Sequence, residues 1–446
     1  MKKLAFLMSA SLLTSSLTMA QFRATDKDGI NVFETPKTEV MPFDGVKVKI
    51  GGAFTQSWQA LKDANTATPV SATNTLYSIK PGFNTANANL NFNVALAEGV
   101  DLKMDMYLSS RHHNETWVKG GYIQFNKFPF LKSLLIDNIM KYTTLKVGHM
   151  EINYGDAHYR RSDNGNSIYN PFVENYIMDA FATEIGLEAD VQHNGFIGVV
   201  GVTNGEIKGD LSDIDEKKDS ASTGSRNPAF LAKLGYDNKI TEKLRVRLTG
   251  SVYTTAGSYA NTLYYGDRTG SHYFLVMEQS SSVIADATKT AFSGRFTPGF
   301  TDKVTSYMGN LMLKYDLMTG LSLESFSTYE KSNGRSKSEI WGERDAKQFA
   351  TDLVVRFGKG ENFWLGGRYN KVDASLYNVN ATVNPAIATK YDVSIDRVAV
   401  SGGWFMTKNI MAKVEYTKQK YDGFLAKDIR HGGKFNGLVV EAVVGF

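Results

Sequence analysis

The last nine residues, Leu438 to Phe446, alternate so that one face carries Leu438, Val440, Ala442, Val444 and Phe446 while Glu441 points the other way. Successive side chains of a strand face opposite sides, so this segment suits a wall with lipid on one side and water on the other. An ordinary soluble domain rarely stops on such a strand. The expected fold is therefore all-β, a transmembrane antiparallel β-barrel whose closing strand ends at Phe446.

The other end carries a different signal. Lys2 and Lys3 precede an apolar stretch from Leu4 to Leu13, and the segment finishes at Thr18-Met19-Ala20. A run this short does not span a bilayer as a helix and has the pattern of a cleaved export signal, expected over 1–20. A polar periplasmic leader is expected over 21–44 and the barrel over 45–446. No later stretch of the 446 residues approaches 18 consecutive apolar positions, which excludes helical spans but leaves a barrel open, since barrel strands hide as weak alternation.

The alternation recurs along the chain. Val46, Val48 and Ile50 oppose Lys47 and Lys49; Leu90, Phe92, Val94 and Leu96 oppose Asn91 and Asn93; Leu102, Met104 and Met106 oppose Asp101, Lys103 and Asp105. Read this way the chain holds about sixteen strands of the roughly 9–11 residues a tilted span needs. Links at 98–99, 192–195, 237–242, 317–320, 358–362 and 407–409 are short. Those at 151–182, 204–227, 255–305, 330–347, 373–390 and 420–435 are long. Such sorting is the arrangement of bacterial barrels, with short periplasmic turns, long extracellular loops and both termini on the turn side. The link 127–141 breaks the rule, and its Leu131, Leu134, Leu135 and Ile139 suggest a short amphipathic helix.

Several chemistries find no support. Cys 0 removes disulfide staples and thiolate metal sites, and 50 basic against 46 acidic residues leaves no footprint for nucleic acid. His112-His113 with Glu115 lacks the helical spacing of a zinc motif, and no local pattern singles out a nucleophile. Neither an enzyme nor a cofactor is expected.

The stretch Lys146-Val147-Gly148-His149-Met150-Glu151-Ile152-Asn153-Tyr154-Gly155-Asp156, with Ala157 to Gly165 and Tyr169 to Asp179 after it, resembles the strand and constriction-loop entry of the phosphate-selective porin O/P-like family. The resemblance covers about residues 142–190. It implies a sixteen-stranded, trimeric channel whose third extracellular loop, here 151–182, folds inward, with anions selected by basic side chains near the narrowing. Only Arg160 and Arg161 fall in the matching loop, and a long ladder of arginines is missing. Tyr169, Phe172, Tyr176 and Met178 are expected to pack that loop against the wall.

The candidate constriction and selectivity set is Arg160, Arg161, His158, Asp163, Glu184, Glu188, Arg245, Arg247 and Lys146. Guanidinium forks bind phosphate and carboxylate, so paired arginines at a narrowing would favour anions; pairing with Asp156, Asp163 or the wall to pin the loop is the alternative. The expected function is a porin of a Gram-negative-type outer membrane, passing small polar or anionic solutes. Its expected partners are lipid, two further copies of the chain and, through the terminal strand, the barrel-assembly machinery. A rival reading is a non-channel barrel for adhesion, envelope anchoring or partnership with a secretion machine, favoured by long Ser/Thr-rich surface loops such as 255–305.

Overall fold

The structure, a computed structural model, describes residues 22–23, 25–38, 41–68, 75–84, 86–108, 116–162, 166–211, 226–264, 272–280, 294–379 and 388–446. The export signal expected over 1–20, Asp163 and the His112-His113-Glu115 group lie outside the described residues.

The strands are β1 (Lys47–Ala64), β2 (Gly82–Phe83), β3 (Asn87–Ala97), β4 (Val100–Leu108), β5 (Thr116–Phe125), β6 (Thr143–Glu151), β7 (Thr183–His193), β8 (Phe196–Thr203) and β9 (Ala229–Lys239). They continue as β10 (Leu244–Thr255), β11 (Lys303–Met318), β12 (Leu321–Arg335), β13 (Arg344–Phe357), β14 (Phe363–Val379), β15 (Ala388–Thr407), β16 (Ile410–Asp422) and β17 (Lys434–Gly445). Every pairing is antiparallel between chain neighbours, and β1 joins β17 to close the sheet. Both β2 and β3 pair with the same edge of β1, so they are one interrupted strand of a closed sixteen-stranded barrel. At the seam Gly52 and Phe446 exchange backbone hydrogen bonds at 3.0 and 3.1 Å, which satisfies the last residue of the chain.

The exterior follows the pattern of the terminal strand. Ile50, Leu248, Leu353, Leu365, Val400 and Val440 are exposed on the outer wall, an apolar surface far larger than water tolerates on a monomer. Rings border this band. Phe357, Phe363 and Trp404 stack at the end of the short turns, while Tyr307, Tyr329, Phe349, Tyr369 and Tyr416 ring the opposite end. Phe349 and Phe357, on one face of β13, are about 26 Å apart along the strand, which a tilt of about 40° projects to roughly 20 Å along the membrane normal. That matches an apolar layer bounded by headgroups.

The strands do not stop at the upper rings. Strands β12 to β17 continue beyond them with Lys331, Asp345, Lys347, Lys371, Asp373, Lys418 and Lys420 facing outward. The links expected at 330–347, 373–390 and 420–435 are correspondingly shorter. Polar outward residues hid these extensions because the strand pattern was traced by its apolar face. At the other end, the β7–β8 hairpin turns on Asn194 (φ 51) and Gly195 (φ 84), the left-handed pair a two-residue turn demands. The expected helix forms at Leu134–Met140, its first turn capped by the Ser133 hydroxyl.

The interior is largely filled. Segment 151–182 enters it, and so do the described parts of the β10–β11 link, where Leu263, Tyr264, Tyr273, Val276, Phe296 and Phe300 are all buried. That link was expected on the surface. Its apolar and aromatic residues, diluted among Ser and Thr, account for the difference, because they pack on inward-facing Phe326, Val372, Ile395, Phe435 and Val439. Residues 26–37 of the leader close in from the turn end around a one-turn helix, Ile30–Phe33.

Candidate functional site

An irregular segment buried inside a barrel must find partners for its backbone polar groups. Here the wall provides them. Lys413 Nζ donates to the carbonyls of Ser167, Asn170 and Phe172 at 2.9–3.3 Å; Ser401 Oγ and Trp364 Nε1 both donate to Pro171 O; Arg368 and Arg397 donate to the carbonyls of Glu174 and Asn175, each at 2.7 Å. In the opposite sense, Glu415, Asn370 and Gln348 accept from the amides of Val173, Ile177 and Met178. Trp364 reaches Pro171 because Gly403 lies under its indole, where a Cβ would come within 2.0 Å of the ring. Inward-facing polar residues of β13 to β16 thus serve the loop rather than water.

A second cluster ties the loop and the leader to β9 and β10. Arg247 grips the Asp156 carboxylate through Nε and Nη2 at 2.8 and 2.9 Å and also meets Glu34 at 2.9 Å. Lys233 Nζ reaches Asp156 at 2.9 Å and Glu34 at 3.2 Å. Burial alone would push the Glu34 carboxyl up, but Arg247 and Lys233 outweigh it and hold it down at about 2. Burial, reinforced by the Lys233 ammonium, holds the His158 imidazole at about 3. Both shifts have the same sign in a linkage argument. The Glu34 contribution is present above its ordinary 4.5 and is lost as pH falls toward 2; that of His158 is full above 6.5 and is lost toward 3. Relative to the unaltered protein, Glu34→Gln is therefore expected to lose less of its heat-denaturation midpoint in detergent as pH falls from 4.5 toward 3. Profiles that run parallel in the two proteins below pH 4.5 contradict the assignment.

The remaining sequence candidates separate into groups. Arg161 forms a bidentate pair with Asp179 at 2.8–2.9 Å and stacks 3.6 Å above Phe181. Arg160, 1% exposed, faces Asp28, Glu324 and Asp352 at 3.6–3.8 Å. His158 lies buried between Phe33 and Tyr159. Lys146 bridges Glu188 and Asp190, each at 2.8 Å, and Glu184 accepts from Tyr253 at 2.8 Å. Arg245 holds Asp237 through two bonds of 2.8 Å. Sequence reasoning missed Lys233, whose place on the inward face of β9 was a usable signal, and Glu34, whose local sequence Phe33-Glu34-Thr35-Pro36 carries none.

Open space adjoins one side of the interior. A cavity of about 1410 Å³ at the turn end is lined by Lys49, Asn91, Asn93, Asp101, Lys103, Asp105 and Tyr122 from β1 and β3 to β5, and by the leader opposite. These wall residues are half-buried, whereas inward residues from β6 to β17 are almost all covered. Two cations here balance two carboxylates.

Fold and interior together define a closed, lipid-compatible barrel narrowed by its own loops. No family model and no curated protein matches the chain. Among solved structures it is similar to an anion-selective porin from Comamonas acidovorans (11% identity, 90% of this chain and 100% of that one, TM-score 0.49). It is also similar to the outer membrane channel DcaP of Acinetobacter baumannii (11% identity, 90% and 98%, TM-score 0.46) and to a loop-deletion mutant of OmpT, an outer membrane protein of Vibrio cholerae (11% identity, 90% and 100%, TM-score 0.47).

Proposed function

We propose that this chain is an outer-membrane channel of a Gram-negative-type bacterium, through which small polar solutes and ions diffuse passively along the β1 to β5 side of the lumen. The observation that carries the reading is the half-open polar face of Lys49, Asn91, Asn93, Asp101, Lys103, Asp105 and Tyr122 in a barrel whose outside is apolar. The export pattern at 1–20 and the terminal strand as a recognition element for barrel assembly fit this location. Segment 151–182 sets the width of the path. Arg160 and Arg161 act on permeation indirectly, by holding that segment, since both are buried among carboxylates. Balanced charge on the open face supports weak ion preference; an anion or phosphate preference would draw on Lys49 and Lys103, with Arg23 and Lys37 of the leader.

A homotrimer is part of the proposal. The upper rings Tyr307, Tyr329, Phe349, Tyr369 and Tyr416 belong to β11 to β16, whereas the outward positions of β6 are Thr143, Leu145, Val147, His149 and Glu151. A wall sector covered by a second copy needs no aromatic border.

Reconstitution into planar bilayers tests the reading. Stepwise conductance is expected, with Lys103→Glu moving the permeability ratio toward cations by roughly threefold. An unchanged ratio removes the β3 to β5 face from the path. The filled interior of β6 to β17 favours the rival, a barrel with an anchoring or adhesive role, and a folded but electrically silent protein would decide for it.

A further inference from the structure

The interior of this barrel contains a built receptor for a carboxylate, and the carboxylate in it belongs to the chain itself. Lys233 Nζ, Arg247 and Asn153 Nδ2 converge on Glu34 at 2.9–3.2 Å, all four side chains being at most 2% exposed. Asp156 neutralises one of the two cations, and Asp237 is balanced by Arg245. Without Glu34 the two cage cations keep only Asp156 and an Asp237 that Arg247 meets at 3.2 Å but shares with Arg245, and an underpaired ion in a dry site is costly.

Glu34 is carried there by a short arm that is not part of any strand. Asp26 folds the arm by accepting from the amides of Asp28, Ile30 and Asn31, and Asp28 approaches Arg160 at 3.6 Å. Apart from Glu34 the arm is held by Lys27 on Gly360 O and Glu361, each at 2.9 Å, by Lys103 Nζ on Val32 O at 3.0 Å, by Gln124 Nε2 on the Thr35 hydroxyl at 3.0 Å and by Lys37 on Asn126, with Ile30 buried and Phe33 packed on His158 and Tyr159. Among the described residues no strand pairing ties it down. The arm also forms one wall of the cavity against β3 to β5, so its position decides how wide that space is.

We propose that Glu34 is a displaceable internal ligand: residues 26–37 plug the turn end of the lumen through the Lys233–Arg247–Asn153 cage, and soluble carboxylates compete with Glu34 for that cage. The widening of the path rests on the channel reading above; occupancy of the cage does not. Two measurements keep the two apart. The first is trypsin cleavage after Lys37 in the detergent-folded barrel, read by mass. Glu34→Ala is expected to speed that cut at least tenfold, and succinate is expected to speed it in the unaltered protein relative to chloride at equal ionic strength. Equal cleavage in Glu34→Ala and the unaltered chain overturns the plug, and no difference between succinate and chloride overturns the competing site. Retention of compact gel migration by Glu34→Ala shows that the barrel is intact, and Glu34→Asp is expected to restore part of the protection. The second is bilayer conductance, expected to rise at least twofold in Glu34→Ala. Faster cleavage with every protein silent supports the cage and defeats the channel; faster cleavage with unaltered conductance overturns the plug.

Discussion

Asp179→Ala is expected to be among the most destabilising single substitutions in the inward segment, at about 3–5 kcal/mol. The Asp179 carboxylate takes both arms of Arg161 at 2.8–2.9 Å and a contact from Arg295 at 3.1 Å, in a place where all three side chains are nearly or fully buried. Removing it leaves two guanidinium groups without that partner in a medium that does not solvate them. The pair itself need not be stabilising, because bringing both charges out of water costs about as much as their attraction returns. Arg161→Met combined with Asp179→Leu should therefore recover most of the loss. Urea midpoints of the refolded barrel read both effects, and a double variant as weak as Asp179→Ala alone would contradict the argument.

Phe172→Ala is expected to be comparable, at roughly 3–5 kcal/mol, with a visible effect on current. The ring is fully buried in a small apolar cluster with Val354, Trp364, Ala399, Met411 and Val443, and the Arg368 guanidinium lies 4.1 Å from its centre. This cluster seats the middle of segment 151–182 on β13 to β17. A cavity there loosens the segment without changing any charge that faces the open side. Conductance should become larger and noisier while the ion permeability ratio stays near that of the unaltered protein. A quiet trace of unchanged amplitude would mean that the segment does not set the width.

The strand grammar was legible because lipid demands one thing of every outward position. Leu438, Val440 and Val444 announce the outer face of the last strand whatever lies inside. The inner face obeys no such single rule. Val439 and Val443 point inward on the same strand, since what they meet is Phe435, Ile168 and Phe172 rather than water. Arg161 was visible as a functional candidate, yet its partner Asp179 lies eighteen residues on with no periodic relation to it. Glu34 was still less accessible: its role depends on Lys233 and Arg247, about 200 residues away, and only closure of the barrel brings them together.

The way the wall holds segment 151–182 bears on how such a chain changes over generations. Lys413, Ser401, Trp364, Arg368, Arg397 and Gln348 grasp peptide oxygens, a group that every amino acid supplies in the same place. Where the segment is gripped this way the bond makes no demand on which residue stands there, unlike the side-chain pairs of Asp156, Arg161 and Asp179, and the course of the main chain is inherited from the staves around it.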